Sequence, residues 1–371
     1  MNTFLARATM ALTLFFTLSC QATPKPHLQQ NDANEWWNIP YPQAFDSSQL
    51  KAQSFIKVKG NKFVDEQGKE VVFRGVNIAD PDKLVKQGQW KKSLFEELDR
   101  WGVNMVRLPI HPLAYRERGR ESYFKLLDQA VIWANDLDMY LILDWHSIGY
   151  LETEVFQHPM YYTSKGETLT FWKDMAQHYK GVPTFAVYEL FNEPTTSGGA
   201  YGKLDWEAWR TFNEELIDLI RVIDDNVVPM VAGFNWAYDL TQVKDRPFRR
   251  EGIAYAIHPY PQKEKLKGKA RTQKGFHKAW DLKWGHLAKK YPMIASEIGW
   301  VQPDGYGAHI PVKDDGSYGP YIESFLEERG ISWTVWCFDP HWSPTMIEDW
   351  SFTPTEQGAF FKKVMQKHRK K

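Results

Sequence analysis

From Val71 onward, apolar runs of strand length alternate with stretches whose apolar residues recur at helical spacing. The pattern predicts strands at Val71–Ile78, Asn104–Ile110, Met139–Trp145, Thr184–Glu193, Val228–Trp236, Ile253–Tyr260, Met293–Glu297 and Ser332–Phe338. Helices are expected between them at Lys91–Trp101, Ser122–Asp136, Leu169–Tyr179, Asp205–Ile223, Phe276–Lys290 and Gly319–Glu328. The segment after the fifth strand is polar and interrupted by proline, so its helix should be short. Gly102 is placed to end the first helix, and Asp205 to cap a stripe of Trp206, Trp209, Leu216 and Ile220. The last helix opens at Thr353-Pro354-Thr355-Glu356, which reads as a capping box with proline at the first helical position.

Strands that alternate with helices form a parallel sheet, and eight such units with continuous apolar strands point to a (β/α)8 TIM barrel. An open doubly wound sheet would carry a glycine-rich first turn, which Gly75-Val76-Asn77 does not supply. Ahead of the barrel, Phe55–Lys59 and Lys62–Asp65 alternate in period two around Gly60-Asn61, a small β-hairpin. Residues 51–371 are therefore read as one catalytic domain. Residues 23–50 are read as a tether and N-terminal extension, in which Trp36, Trp37 and Tyr41 pack on the outside of the domain.

The first 22 residues read as an export signal: Arg7, then an apolar run from Met10 to Leu18 too short to span a bilayer, then small residues. Two processing outcomes stay open. A peptidase could cut after Ala22, or Cys20 in Leu18-Ser19-Cys20 could carry a lipid. Either way the chain is expected outside a bacterial cytoplasm, as a secreted, periplasmic or outer-membrane lipoprotein, touching a membrane only through Cys20. The other cysteine, Cys337, is then expected to be a buried, unpaired apolar residue.

Composition narrows the partners. With 46 Lys+Arg against 46 Asp+Glu there is no field to attract nucleic acid, and the basic end Lys362–Lys371 reads as a solvated helix face. The 17 tryptophans fit both a core and flat platforms for sugar rings. The sequence lacks a phosphate-binding G-x-x-x-x-G-K-S/T loop, a G-x-S-x-G elbow and an H-E-x-x-H pair, which argues against nucleotide, serine-hydrolase and zinc-peptidase chemistry.

Barrel active sites form at the C-terminal ends of the strands. Those ends carry Arg107, His146, Asn192, Glu193, His258, Tyr260, Glu297 and Trp336. Two facing glutamates suit glycoside cleavage, where one carboxyl donates a proton to the leaving oxygen and an ionised partner attacks the anomeric carbon. Arg107 and Tyr260 are expected to hold one carboxylate low in pKa. His146 and His258 stand on separate strands among hydrogen-bonding partners, so neither a metal nor another cofactor is expected. Glu189 shares the strand parity of Glu193 and is read as an ion-pair partner for Arg74 or Arg107. His111 and His309 are read as loop or surface residues.

The ordered set Arg107 in Val-Arg-Leu-Pro, His146 in Asp-Trp-His, Asn192-Glu193-Pro194, His258-Pro259-Tyr260, Glu297 and Trp336 resembles glycoside hydrolase family 5. The resemblance implies a retaining β-glycan hydrolase with Glu193 as general acid/base and Glu297 as nucleophile. It implies that Arg107 and Tyr260 position Glu297, and that Asn192 binds the 2-hydroxyl of the cleaved sugar. His146 would contact that sugar, His258 would sit near Glu193, and Trp336 would stack under the ring. Ile298 departs from the family's usual aromatic residue after the nucleophile. The implied substrate is β-1,4-glucan or mixed-linkage β-glucan, cleaved internally by a monomer, with β-mannan or glucomannan as the alternative. A non-catalytic carbohydrate-binding barrel is the reading from another class. Aromatics in the strand-end loops (Tyr150, Tyr161, Tyr162, Trp342 and Trp350) are expected to shape the sugar subsites.

Overall fold

The computed structural model describes residues 35–308 and 310–369. The segment read as an export signal, with Cys20, most of the segment read as a tether, His309 and the last two residues lie outside the described residues. Eight parallel strands close into a barrel in strict sequence order: Arg74–Ile78, Met105–Ile110, Tyr140–Trp145, Phe185–Glu189, Val228–Ala232, Ala254–Ala256, Met293–Ile298 and Ser332–Phe338. The fold is the (β/α)8 TIM barrel that the pattern predicts. Gly75 lets the first two strands approach, since a Cβ there would lie 1.8 Å from the Met105 carbonyl oxygen.

The principal outer helices run over Lys92–Trp101, Arg120–Asp136, Lys165–His178, Trp206–Ile223, Gln273–Lys283, Tyr318–Arg329 and Glu356–His368. Asp205 caps its helix by accepting from the Glu207 and Ala208 amides at 2.9 and 3.1 Å. Gly102 ends the helix before it in a left-handed conformation, φ 86°. Fully buried Trp172, Trp280, Trp284 and Trp333 belong to the packing that joins the helices to the barrel. A second apolar cluster fills the barrel itself. There Ile56 and Phe63, from the N-terminal hairpin, meet Phe73, Met105, Ile142, Val187, Met230 and Ile294. The hairpin thus plugs the end of the barrel opposite the strand C-termini.

Several boundaries differ from the pattern. The predicted first strand is two: Glu70–Val71 joins the hairpin as a third strand, and the barrel strand starts at Arg74. Asn104 brackets the break, donating to the Val72 carbonyl and accepting from the Arg74 amide. The fourth barrel strand ends at Glu189. The chain then changes neighbours, and Glu193–Pro194 pairs with Ile148–Gly149 in a separate three-stranded sheet. The fifth strand ends at Ala232, because Asn235, Trp236 and Ala237 turn into left-handed conformations at φ 60°, 56° and 54°. The last helix is capped by Thr355, which accepts from the Gly358 amide, and Pro354 instead pairs with Ile347 in an isolated bridge. Two short helices, Pro81–Lys86 and Pro112–Arg118, were not in the pattern.

At the N-terminal extension, Trp36 is half-buried against the core, while Trp37 and Tyr41 are exposed. Lys173 ties the segment down through the Trp36 and Ile39 carbonyls. Cys337 is buried and free. The basic final helix is more engaged than a solvated face: Lys362 lies over the Trp101 ring and Arg369 pairs with Asp99 at 2.7 Å.

Candidate active site

Every sequence-predicted site residue lies at the C-terminal end of the barrel, and the structure joins most of them in one hydrogen-bonded network. Arg107 is its hub. Register places it beside Asn77 on one side and Ile142 on the other. Its side chain is fully buried and reaches inward. It donates to Glu189 at 2.6 Å, Asn77 and Asn192 at 2.8 Å, and Glu297 at 3.0 Å, and it pairs with Asp144 at 3.0 Å. Glu189 is therefore the partner of Arg107, while Arg74 pairs with Glu327.

The two predicted glutamates have different surroundings. Glu297 accepts from Arg107 on one oxygen and from Tyr260 on the other, at 2.8 Å. Glu193 is bonded to His258 Nδ1 at 2.9 Å, and His258 Nε2 meets Ser296, which donates to Glu189. Carboxylate oxygens of Glu193 and Glu297 and a ring nitrogen of His258 lie within 4.8 Å of one another. Such a trio could reach a cation, but each of these groups already has a protein partner.

Charge explains the titration of the site. Among the described residues the charged partners in contact with Asp144, Glu189, Glu193 and Glu297 are Arg107 and His258, with Lys263 acting from beyond contact, so full ionisation would leave the contacting groups at net −2. Two carboxyls answer by moving up. Burial pushes Asp144 well above the usual range, against the pull of Arg107. Burial also raises Glu297, with Glu193 adding to it, and His258, Arg107 and Tyr260 only partly oppose this. For Glu193 burial acts upward too, but the His258 hydrogen bond and charge, with Lys263 and Arg107 behind them, leave it lowered. His258 itself, despite burial, is raised to about 9 by Glu297, Glu189 and Glu193. The expectation that Arg107 and Tyr260 would keep Glu297 the lower of the pair thus fails in the free site. The reason is the burial of Glu297 beside Glu193, while the hydrogen bond from His258 goes to Glu193.

On the other side of the cleft the rings of His146, Trp336 and Trp342 lie nearly parallel. Their centroids are 5.3 and 5.9 Å apart, at 9° and 5°. His146 Nδ1 is bound to Asp144 at 2.6 Å, and burial with nearby His111 and Arg107 keeps its ring neutral. Asn192 is fixed through its oxygen by Arg107, while its Nδ2 is buried without a partner among the described residues. Ile298 is buried after Glu297.

His111 corrects the sequence reading. It is buried, bound to Asp80 at 3.0 Å, and packed 4.7 Å from His146 and 5.1 Å from Trp342. With Tyr161, Tyr306 and Trp336 it lines a cleft pocket of about 290 Å³. Its signal was its place, directly after the second barrel strand. Tyr150 fails as a cleft residue, since its buried hydroxyl accepts from the Asp205 amide. Trp350 packs half-buried against the core and Tyr162 is exposed. Of the five loop aromatics named, Tyr161 and Trp342 line the cleft pocket.

Residues 64–341 match the family model described as cellulase (glycosyl hydrolase family 5). The chain belongs to glycosyl hydrolase family 5. Among solved structures similar to this family 5 chain is the β-glucanase SdGluc5_26A from Saccharophagus degradans. It is 62% identical with a TM-score of 0.87, covering 91% of this chain and 100% of that one. The same β-glucanase has been solved in complex with cellotetraose. Endoglucanase A of Butyrivibrio fibrisolvens is 28% identical over 304 residues, 80% of this chain. An endoglucanase of Clostridium saccharobutylicum is 25% identical over 294 residues, 76% of this chain. The matches cover only 63% and 56% of those two relatives' own lengths.

Proposed function

We propose that the protein is a retaining endo-β-glucan hydrolase acting on β-1,4-glucan or mixed-linkage β-glucan, with Glu297 as nucleophile and Glu193 as acid/base. One observation carries the reading: the two carboxylates approach within 4.8 Å, each with its own set of partners. Inverting enzymes hold their carboxyls roughly 6.5–9.5 Å apart to admit a water, while retaining enzymes hold them at about 5–5.5 Å. The 62% identical relative is a β-glucanase that has been solved with cellotetraose, which supports the substrate class.

The chemistry then runs in two steps. A Glu297 oxygen bonds to the anomeric carbon as the bond to the leaving sugar breaks, and Glu193 gives that oxygen its proton. Glu193 next takes a proton from water, whose oxygen bonds to the anomeric carbon and releases Glu297. The proton has a natural store. His258 and Glu193 share a hydrogen bond, and the raised His258 keeps a proton on that pair up to about pH 9. Arg107 and Tyr260 hold the two Glu297 oxygens, fixing the attack geometry. Asn192 Nδ2 is the donor for the 2-hydroxyl, His146 contacts the same sugar, and Trp336 is the ring platform.

A panel of β-1,4-glucan, mixed-linkage glucan and β-mannan tests the function. Wild type should cleave the glucans, and Glu193→Gln should lose about 10²- to 10⁴-fold on unactivated substrate. Glu297→Gln should be more damaging still. Turnover of mannan alone would refute the substrate class, and turnover of no β-glycan would leave only the carbohydrate-binding barrel. A polymeric substrate also fits the proposed export signal, which a fractionation that finds the full chain in the cytoplasm would exclude.

A further inference from the structure

The loops after the fifth and sixth strands carry an ammonium that the reaction above does not use. Lys263 sits in the turn Pro261–Lys263 that follows His258 and Tyr260. Its Nζ donates to the Asn235 carbonyl at 3.0 Å and lies 4.7 Å from the centre of the Trp236 ring. An ammonium has three donors, and among the described residues only one is taken. The carboxylates that act on it are nonetheless Glu193 and Glu297, without an ion-pair contact. Desolvation lowers Lys263 to about 8, so it stays mostly charged at neutral pH.

The surroundings hold it in place. Asn235 and Trp236 both adopt left-handed conformations, at φ 60° and 56°, a strained arrangement for a bulky residue that persists where the fold enforces it. That turn presents the Asn235 carbonyl to Lys263. Tyr238 binds Glu264, joining the two loops a second time, and Trp236 Nε1 donates to Gln157 at 3.3 Å. Barrel order sets the location. Strands five and six stand across the barrel from strands eight, one and two, whose ends carry Trp336 and His111. Lys263 therefore lies on the Glu193 side of the cleft, away from the His146–Trp336–Trp342 rings.

We propose that Lys263 is a specificity-determining residue that donates to a hydroxyl of the sugar departing from Glu193, with Trp236 forming the wall behind it. This rests on the glucan-hydrolase reading. A sugar oxygen would satisfy donors that the fold leaves free, and would do so only when the leaving group is itself a sugar.

The test compares cellotetraose with 2,4-dinitrophenyl β-cellobioside, whose leaving group is not a sugar. Lys263→Met should lower kcat/KM on cellotetraose by about 10- to 100-fold, the size of a lost hydrogen bond to a charged group. On the dinitrophenyl substrate it should change the value less than about threefold. Lys263→Arg, which keeps a charged donor, should recover most of the cellotetraose rate. Equal losses on the two substrates, as from a structural role, overturn the assignment, as does a cellotetraose loss under about threefold. Failure of wild type on both substrates would instead refute the hydrolase reading.

Discussion

Arg107 is where the charge of the site is balanced. It is buried at the centre of Asp144, Glu189 and Glu297, and its removal would leave Glu189 and Glu297 to His258 and Asp144 to the neutral His146 ring. Breaking a buried ion pair from one side costs about 3–5 kcal/mol. Arg107→Met should therefore lower the unfolding free energy by an amount of that order in a denaturant titration and abolish turnover; loss of activity with unchanged stability would contradict the buried-hub account. His258 gives a pH signature. Its folded value of about 9 lies above the ordinary histidine range, so the stability it lends is fully present below about pH 6.5 and is lost as pH rises through 9. Chemical denaturation of wild type and His258→Gln should show curves that differ most near pH 6 and converge towards pH 10. A difference constant across that range would count against a charged His258. At this scale much was legible from residue type and strand-end position, including the pairing of Glu189. His111 was not, because a histidine between Ile110 and Pro112 looks like the start of a loop. Lys263 left no signal, since its surroundings come from two loops that only the closed barrel brings together.

At the scale of elements, apolar runs located the strands but not their ends. The run from Val71 to Ile78 is continuous in sequence, yet Asn104 splits it by bonding both sides of Phe73. The stretch ending in Asn-Glu-Pro looks like one strand. Its last two residues leave the barrel for a small sheet with Ile148–Gly149, which sets Glu193 slightly apart from Glu189. Such partner changes depend on which neighbour is in reach, and the pattern of one chain segment does not record that. The last helix offers a clean measurement. Thr355, not Thr353, supplies the cap, so Thr355→Ala should cost about 1 kcal/mol while Thr353→Ala costs little. Equal costs in a denaturant titration, or the reverse order, would restore the capping box expected from the sequence.

For the whole molecule, the barrel's closure turns residues more than a hundred positions apart into one site. The alternation of strands and helices was enough to predict that closure, because parallel strands buried on both faces have few other arrangements. Closure also divides the work. The hairpin with Ile56 and Phe63 fills one end of the barrel, and the other end is left to the network of Arg107, Glu193, His258 and Glu297. The central claim is that Glu297 forms a covalent intermediate and Glu193 handles the proton, so that the anomeric configuration is kept. Proton NMR during the first minutes of cellotetraose cleavage reads this directly. The account predicts that the β-anomer of the new reducing end appears first and then mutarotates. An α-anomer formed first would show inversion and contradict it.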